Sequence, residues 1–453
     1  MKKYMLPILV VLLVSLIKPK ENKISQISPA IINWKSPIGN VSYRTNIATK
    51  GNLLFIGSNG MNFMDYNLLD KGNGVCILNS KNGKLINNIQ SDVIGDMDVN
   101  GILLYQNKLY FGNDNDEFLC TDLKGNIKYR IPTSGDVEFE PLLLDIHNKK
   151  VIVYGTETGE LRAINPTNGK TVWEHYDSDF AGWKTGESRS LFKVKMHFYS
   201  DAFFFDKPTM MDINKDGVKD MIFGFWNRYV KVISGKDGKE LFSIQLNKNH
   251  KEDEFDCELF RNTPLVLREK NQTILVIPYS KYNNPGFTYE LRCLDLKGNI
   301  IKKIPLDRKF FNNVSSKRFT VKNKIVLFNK GLVDFSKGID NYKITPFKGL
   351  DKFSKNKYSY RNNISSNQFL EYNNELCMFL VYEKGEDYSW STIAITGINT
   401  GVCHKLINLP TTSEFEPVLG DFNRDGKADA IIGCHNGFLY NIDLEMPSSS
   451  IKN

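Results

Sequence analysis

Short apolar runs broken by Gly, Asn and Asp recur along most of this chain, the pattern expected of strands joined by tight turns. The clearest stretch starts at Glu414. There Glu416 to Phe422, Asp429 to Gly433 and Phe438 to Leu444 form three β-runs, separated by turns carrying Asp425-Gly426 and Asn436-Gly437. The same order recurs from Glu138 and from Phe205: a Pro, an Asp four residues later, a Gly closing the second run, then a third run. The Glu138 copy adds a fourth run, Thr171 to Glu174.

Four short strands in about 40 to 50 residues are the sequence mark of a propeller blade. Third strands end at Asn79, Asp122 and Asn165, 43 residues apart in both intervals. The blades read as one from Asn52, two from Gly101 to Ile131, three from Glu138 to Tyr176 and four from Phe205 to Leu246. Five spans Glu258 to Ile304, six Arg318 to Phe347, seven Asn367 to Ile407, and eight starts at Glu414. Blade eight lacks a fourth strand, while the run Ala30 to Lys35 stands alone with Trp34 in the place of Trp173. The prediction is therefore an all-β fold, a single β-propeller over residues 25–445. It has eight four-stranded blades, with seven as the alternative count, and an N-terminal strand closes the ring so that no edge stays open. Residues 446–453 read as a tail.

Residues 1–24 open with Met1-Lys2-Lys3 and run apolar from Tyr4 to Ile17. That is shorter than the roughly 20 residues needed to span a bilayer and matches a secretory signal. No Ala-x-Ala site follows, so an uncleaved membrane tether is the alternative, and an extracytoplasmic monomer is expected either way. Formal charge is +8. Residues 302–324 are basic through Lys302, Lys303, Arg308, Lys309, Lys317, Arg318, Lys322 and Lys324, which suits an anionic polysaccharide or membrane surface. No aromatic-basic platform points to nucleic acid. The seven cysteines are scattered and read as small core residues.

Two acidic loops carry the clearest chemistry: Asp212-x-Asn214-x-Asp216-Gly217-x-x-Asp220 and Asp421-x-Asn423-x-Asp425-Gly426-x-x-Asp429. Oxygen side chains at positions 1, 3, 5 and 9, with the carbonyls of Val218 and Lys427 at position 7, can converge on a hard cation such as calcium. Position 12 is Phe223 or Ile432 where an EF-hand has Glu, and both loops run into strands. They read as β-hairpin loops holding structural calcium, or as plain Asp/Asn/Gly turns. A second constellation is the set of acidic entries to first strands. Glu138, Glu140, Glu414 and Glu416, with Trp183 in the long connection Asp177 to Asp201, form a candidate ligand face at the channel mouth.

The loops with their flanks, GDFNRDGKADAIIG and MDINKDGVKDMIFG, resemble FG-GAP (VCBS, integrin α-type) repeats. The run Leu161 to Asn165, through Gly169-Lys170 to Trp173, resembles the pyrroloquinoline-quinone-type propeller repeat. The second resemblance spans quinone-dependent alcohol dehydrogenases and non-enzymatic envelope scaffolds, and fold does not choose between them. Adjacent cysteines are absent, so the quinone is not expected as a cofactor. No H-E-x-x-H, G-x-S-x-G or P-loop occurs. The sequence favours a non-enzymatic, calcium-braced propeller that binds a protein or glycan. The alternative is a propeller enzyme acting on polysaccharide in the manner of a lyase, or a quinone-dependent dehydrogenase.

Overall fold

A computed structural model of the chain describes residues 27–42, 44–60, 73–90, 97–176, 207–224, 229–246, 264–269, 272–283, 286–306, 320–321, 323–327, 331–350, 362–364, 368–384, 390–413 and 415–452. The leader 1–24, Trp183 and Glu414 lie outside them.

Eight sheets built of antiparallel strands follow one another along the chain, and in six of them the strand order is sequential. Blade three shows the plan: Leu142–Ile146, Lys149–Gly155, Glu160–Ile164 and Thr171–Tyr176. Burial falls off outward. The two middle strands of blade one, Leu53–Asn59 and Asn73–Asn79, are buried almost throughout, while its fourth strand, Leu85–Ile89, is mostly exposed. First strands of neighbouring blades approach each other, as Ile47–Lys50 of blade one does Ile102–Tyr105 of blade two. First strands therefore face the axis and fourth strands the rim.

The hydrophobic core is divided among the seams between blades. Ile77, Leu109, Phe111 and Leu119 fill the seam of blades one and two, and Tyr110, Phe118, Ile152 and Tyr154 that of two and three. A cluster from Trp34 and Ile56 to Phe379, Ile431 and Ile442 joins blades seven, eight and one. A single sheet cannot bury both of its faces, so each blade depends on its neighbours. The connections between blades are wedged into the same seams. Val137, leading to blade three, packs on Gly112 of blade two, where a Cβ would sit 2.1 Å from the valine Cβ.

The ring closes as the orphan strand predicted. Ile31–Pro37 pairs antiparallel with Phe438–Pro447 and supplies the fourth strand of blade eight. Trp34 takes the role of Trp173. Its indole N–H donates to the carbonyl of Ser80 at 3.0 Å and its ring lies against Gly83, as Trp173 donates to Gly235 at 3.1 Å and covers Gly238. Just upstream, Ile27–Pro29 runs parallel to Cys403–Asn408 and covers the outer edge of blade seven.

Much of the expected tail 446–453 is instead built into the sheets. Phe438–Pro447 continues past Leu444, and Ile451–Lys452 pairs with Phe369 and Leu370 beside the first strand of blade seven. A 3-10 turn at Ser448–Ser450 carries the chain from blade eight to blade seven. Among the described residues no helix is long and apolar enough to cross a membrane. Cys76, Cys120, Cys293, Cys377, Cys403 and Cys434 are buried free thiols, and burial pushes Cys76, Cys293 and Cys377 up to about 12. Cys257 lies outside the described residues.

Candidate functional site

Both acidic loops fold identically, each as the turn between the first two strands of its blade. In blade four the carboxylate of Asp212 accepts the N–H groups of Asp216 (3.1 Å) and Gly217 (3.1 Å), and Asn214 Oδ1 accepts the Asp216 N–H (3.0 Å). In blade eight Asp421 accepts from Asp425 (3.0 Å) and Gly426 (3.1 Å), and Asn423 Oδ1 accepts from Asp425 (3.1 Å). Gly217 and Gly426 hold φ near +87° and +86° with open space around them, so the glycine answers to backbone conformation and not to crowding. Position 7 is occupied by Val218, which is buried, and by Lys427, whose ammonium reaches Asp443 at 2.8 Å.

Position 9 anchors each loop. Asp220 and Asp429 are fully buried. Asp220 Oδ2 accepts the N–H groups of Ile213 (2.8 Å) and Asn214 (3.3 Å), and Asp429 Oδ2 those of Phe422 (2.9 Å) and Asn423 (3.3 Å). Desolvation holds both carboxyls above the usual aspartate range despite these bonds. Asp425, at the exposed tip, is held below it, first by the N–H of Lys427. Asp429 also receives the side-chain amides of Asn33 (2.9 Å) and Asn441 (3.2 Å). Asn33 lies on the closing strand, so the second loop is tied to ring closure.

Three carboxylates and an amide oxygen within nine residues have the hard-donor chemistry of a calcium site. In this conformation the loop's own N–H groups engage those oxygens; those of Asp212 and Asp421 each accept one such bond, while the Oδ2 atoms of Asp220 and Asp429 already accept two or more. Among the described residues no three His, Cys, Asp or Glu side chains are gathered as metal ligands. The donor chemistry fits the ion, and closing the loop around it requires the side chains to turn inward.

The carboxylates proposed to line the channel mouth are tied into links between blades. Glu138 is buried and bonded to Arg44 and to Asn100 Nδ2 (3.0 Å), while Ser42 Oγ donates to Asn100 Oδ1 (2.6 Å). Ser42, Asn100 and Glu138 each follow the aliphatic wedge residue of their connection, Val41, Val99 and Val137, so equivalent positions of blades one, two and three join in one chain. Glu140 accepts from Lys207 Nζ at 2.8 Å, bridging blades three and four. Amide side chains close two further seams. Asn46 exchanges two bonds with the backbone of Ile102 (2.8 and 2.9 Å), and Gln368 does the same with Leu419 (2.6 and 2.9 Å). Glu416 is half-buried. Arg44, Asn100 and Lys207 escaped sequence reasoning, although Asn100 directly follows its wedge residue just as Ser42 and Glu138 do.

On the same side as these entries, the second-to-third-strand turns add further acid. Asp98, Asp114, Asp116, Asp136 and Glu157 gather along blades two and three, bound through the backbone bonds Asp114 N–H to Asp98 O (3.1 Å) and Glu157 N–H to Asp136 O (3.0 Å). Five acidic residues thus share one side of blades two and three, Asp116 exposed and Asp98, Asp114, Asp136 and Glu157 half-buried.

No family model matches the chain, and no curated protein matches it in sequence. Among solved structures it is similar to BamB from Moraxella catarrhalis, with 9% identity, 93% of this chain and 100% of that one covered, and a TM-score of 0.50. It is also similar to Sqt1 from Saccharomyces cerevisiae, with 12% identity, 93% and 97% covered, and a TM-score of 0.52. At such identities the likeness is one of propeller fold.

Proposed function

We propose that this chain is a non-enzymatic, extracytoplasmic propeller that holds a protein partner on the acidic face of blades two and three, with calcium bracing the loops of blades four and eight. The observation that carries the reading is the use made of the inward carboxylates. Glu138 and Glu140 are spent on rigid links between blades, whereas Asp114, Asp116 and Glu157 lie in second-to-third-strand turns, Asp116 exposed and the other two half-buried. A stiff scaffold presenting a charged face suits recognition, and acidic turns favour a basic partner surface. The resemblance to BamB and Sqt1 supports the architecture.

Photo-crosslinking tests the partner. A photoreactive residue at Asn115 or Thr158 is expected to yield one discrete protein adduct in cells that express the chain, and one at Lys297 on the opposite side is not. The adduct should disappear with Asp114→Lys/Asp116→Lys. Equal adducts from both sides, or none from Asn115 and Thr158, would remove the acidic face from the reading.

In the calcium-bound form Asp212, Asn214, Asp216 and Asp220 would hold one ion and Asp421, Asn423, Asp425 and Asp429 the other. Each would pin a first-to-second-strand turn and the second would add rigidity beside Asn33. Calorimetric titration of chelator-stripped protein is expected to count two sites. At calcium a hundredfold above Kd, each should stabilise the fold by about 2.7 kcal/mol. Asp216→Ala/Asp425→Ala should abolish both heat and melting shift. An unchanged melting temperature would leave the loops as hydrogen-bonded turns.

A further inference from the structure

In an antiparallel meander the first and third turns fall at one end of the blade and the second at the other. The turns between third and fourth strands therefore emerge on the side away from the acidic face. In blades one to six each of these turns carries an exposed lysine: Lys84, Lys124, Lys170, Lys236, Lys297 and Lys337. Some neighbouring charges are already paired, Lys239 with Asp237 and Lys302 with Asp340. Asp122 and Asp295 are turned back to cap their own turns, accepting the N–H groups of Lys124 and Lys297 at 2.9 and 2.8 Å.

Beside the lysines stand aliphatic side chains in water. Ile86, Val172 and Ile301 are 54%, 49% and 41% exposed. Each is the residue skipped where the fourth strand bulges against the third. A bulge at the start of the outer strand recurs in blades one to five and turns that residue outward; in blade two it is Lys128 and in blade four the half-buried Leu241. Ile31 and Ile32, on the closing strand of blade eight, are exposed as well.

Lysines interleaved with exposed Ile and Val form a surface that attracts anionic headgroups and places short apolar side chains at the headgroup boundary. A polysaccharide or nucleic acid would use the lysines and leave the aliphatic side chains wet. The chain upstream agrees: Ile27 is preceded by the apolar run Tyr4 to Ile17 and by Lys18, Lys20 and Lys23. We propose that this rim, with lysines from blades one to six and exposed aliphatic side chains from blades one, three and five, continued by Ile31 and Ile32, rests on an anionic lipid surface and turns the acidic side away from it. The proposal stands on a different face from the partner site and does not depend on it.

Co-sedimentation of the full chain with phosphatidylcholine vesicles, with and without phosphatidylglycerol, tests it. At roughly fivefold per lysine, Lys84→Glu/Lys124→Glu/Lys170→Glu should weaken binding to phosphatidylglycerol vesicles about a hundredfold. Binding to phosphatidylcholine alone should be unchanged. Ile86→Asn/Ile301→Asn should weaken binding to both, with circular dichroism melting to show that each variant is folded. All variants keep residues 1–26, so undiminished vesicle binding would assign membrane contact to that segment and overturn the proposal. So would variants that lose retention on heparin while keeping their affinity for vesicles, which would identify a polysaccharide-binding rim.

Discussion

Trp173 shows how one residue serves two blades. It stands on the fourth strand of blade three, yet its indole N–H donates to Gly235 and its ring lies against Gly238, both in the last turn of blade four. Gly238 has φ +73°, and a Cβ there would come 2.5 Å from the indole Cε3, so backbone and packing both demand glycine. Trp173→Phe retains an aromatic surface but leaves the Gly235 carbonyl without its donor. Urea unfolding is expected to show a loss of about 1–3 kcal/mol. Trp173→Ala, which also empties the seam, should cost about 3–5 kcal/mol. Equal midpoints for wild type and Trp173→Phe would show that the bond contributes nothing net. Trp34 and Gly83 repeat the arrangement, and Trp34 could be matched to Trp173 from sequence because the pair of indoles is rare in a chain with five tryptophans.

At the scale of strands, legibility followed local chemistry. Asp-Gly and Asn-Gly turns marked the hairpins, and short apolar runs marked the buried middle strands, so the blade count and order were readable. The strand Ile451–Lys452 was not, because two residues give no period, and their pairing with Phe369 and Leu370 is set by a neighbouring blade. The bulges were hidden for a related reason. They shift register by one residue in a strand already half exposed, where either face tolerates polar side chains. In blade seven the residue at the bulge, His404, turns to Glu375 at 3.0 Å, and in blade eight Asn33 turns to Asp429. The acidic loops were legible as spacing, since their oxygen-bearing side chains lie within nine residues. The Ser42, Asn100 and Glu138 chain was not, since it joins three blades and exists only once the ring has formed.

The whole ring depends on eleven residues near its start. Ile27–Pro29 covers blade seven and Ile31–Pro37 completes blade eight, and the cluster around Trp34 joins blades seven, eight and one into one core. Without these strands Phe438–Pro447 would be an open edge, Gly83 would lose its indole, and Asp429 would lose the amide of Asn33. An open edge carries a row of unpaired backbone groups that another chain can complete. A protein beginning at Ile38 is therefore expected to unfold at lower urea than one beginning at residue 25, and to form aggregates in light scattering. Because the missing piece is a strand and not a nucleus of the fold, a synthetic peptide of residues 27–37 added in trans should restore the midpoint and suppress aggregation. The same peptide with Trp34→Ala should do so poorly. If the shortened protein melts as the longer one does, closure is carried by the remaining blade seams alone. The strand would then be an ornament on a ring that its neighbours already hold shut.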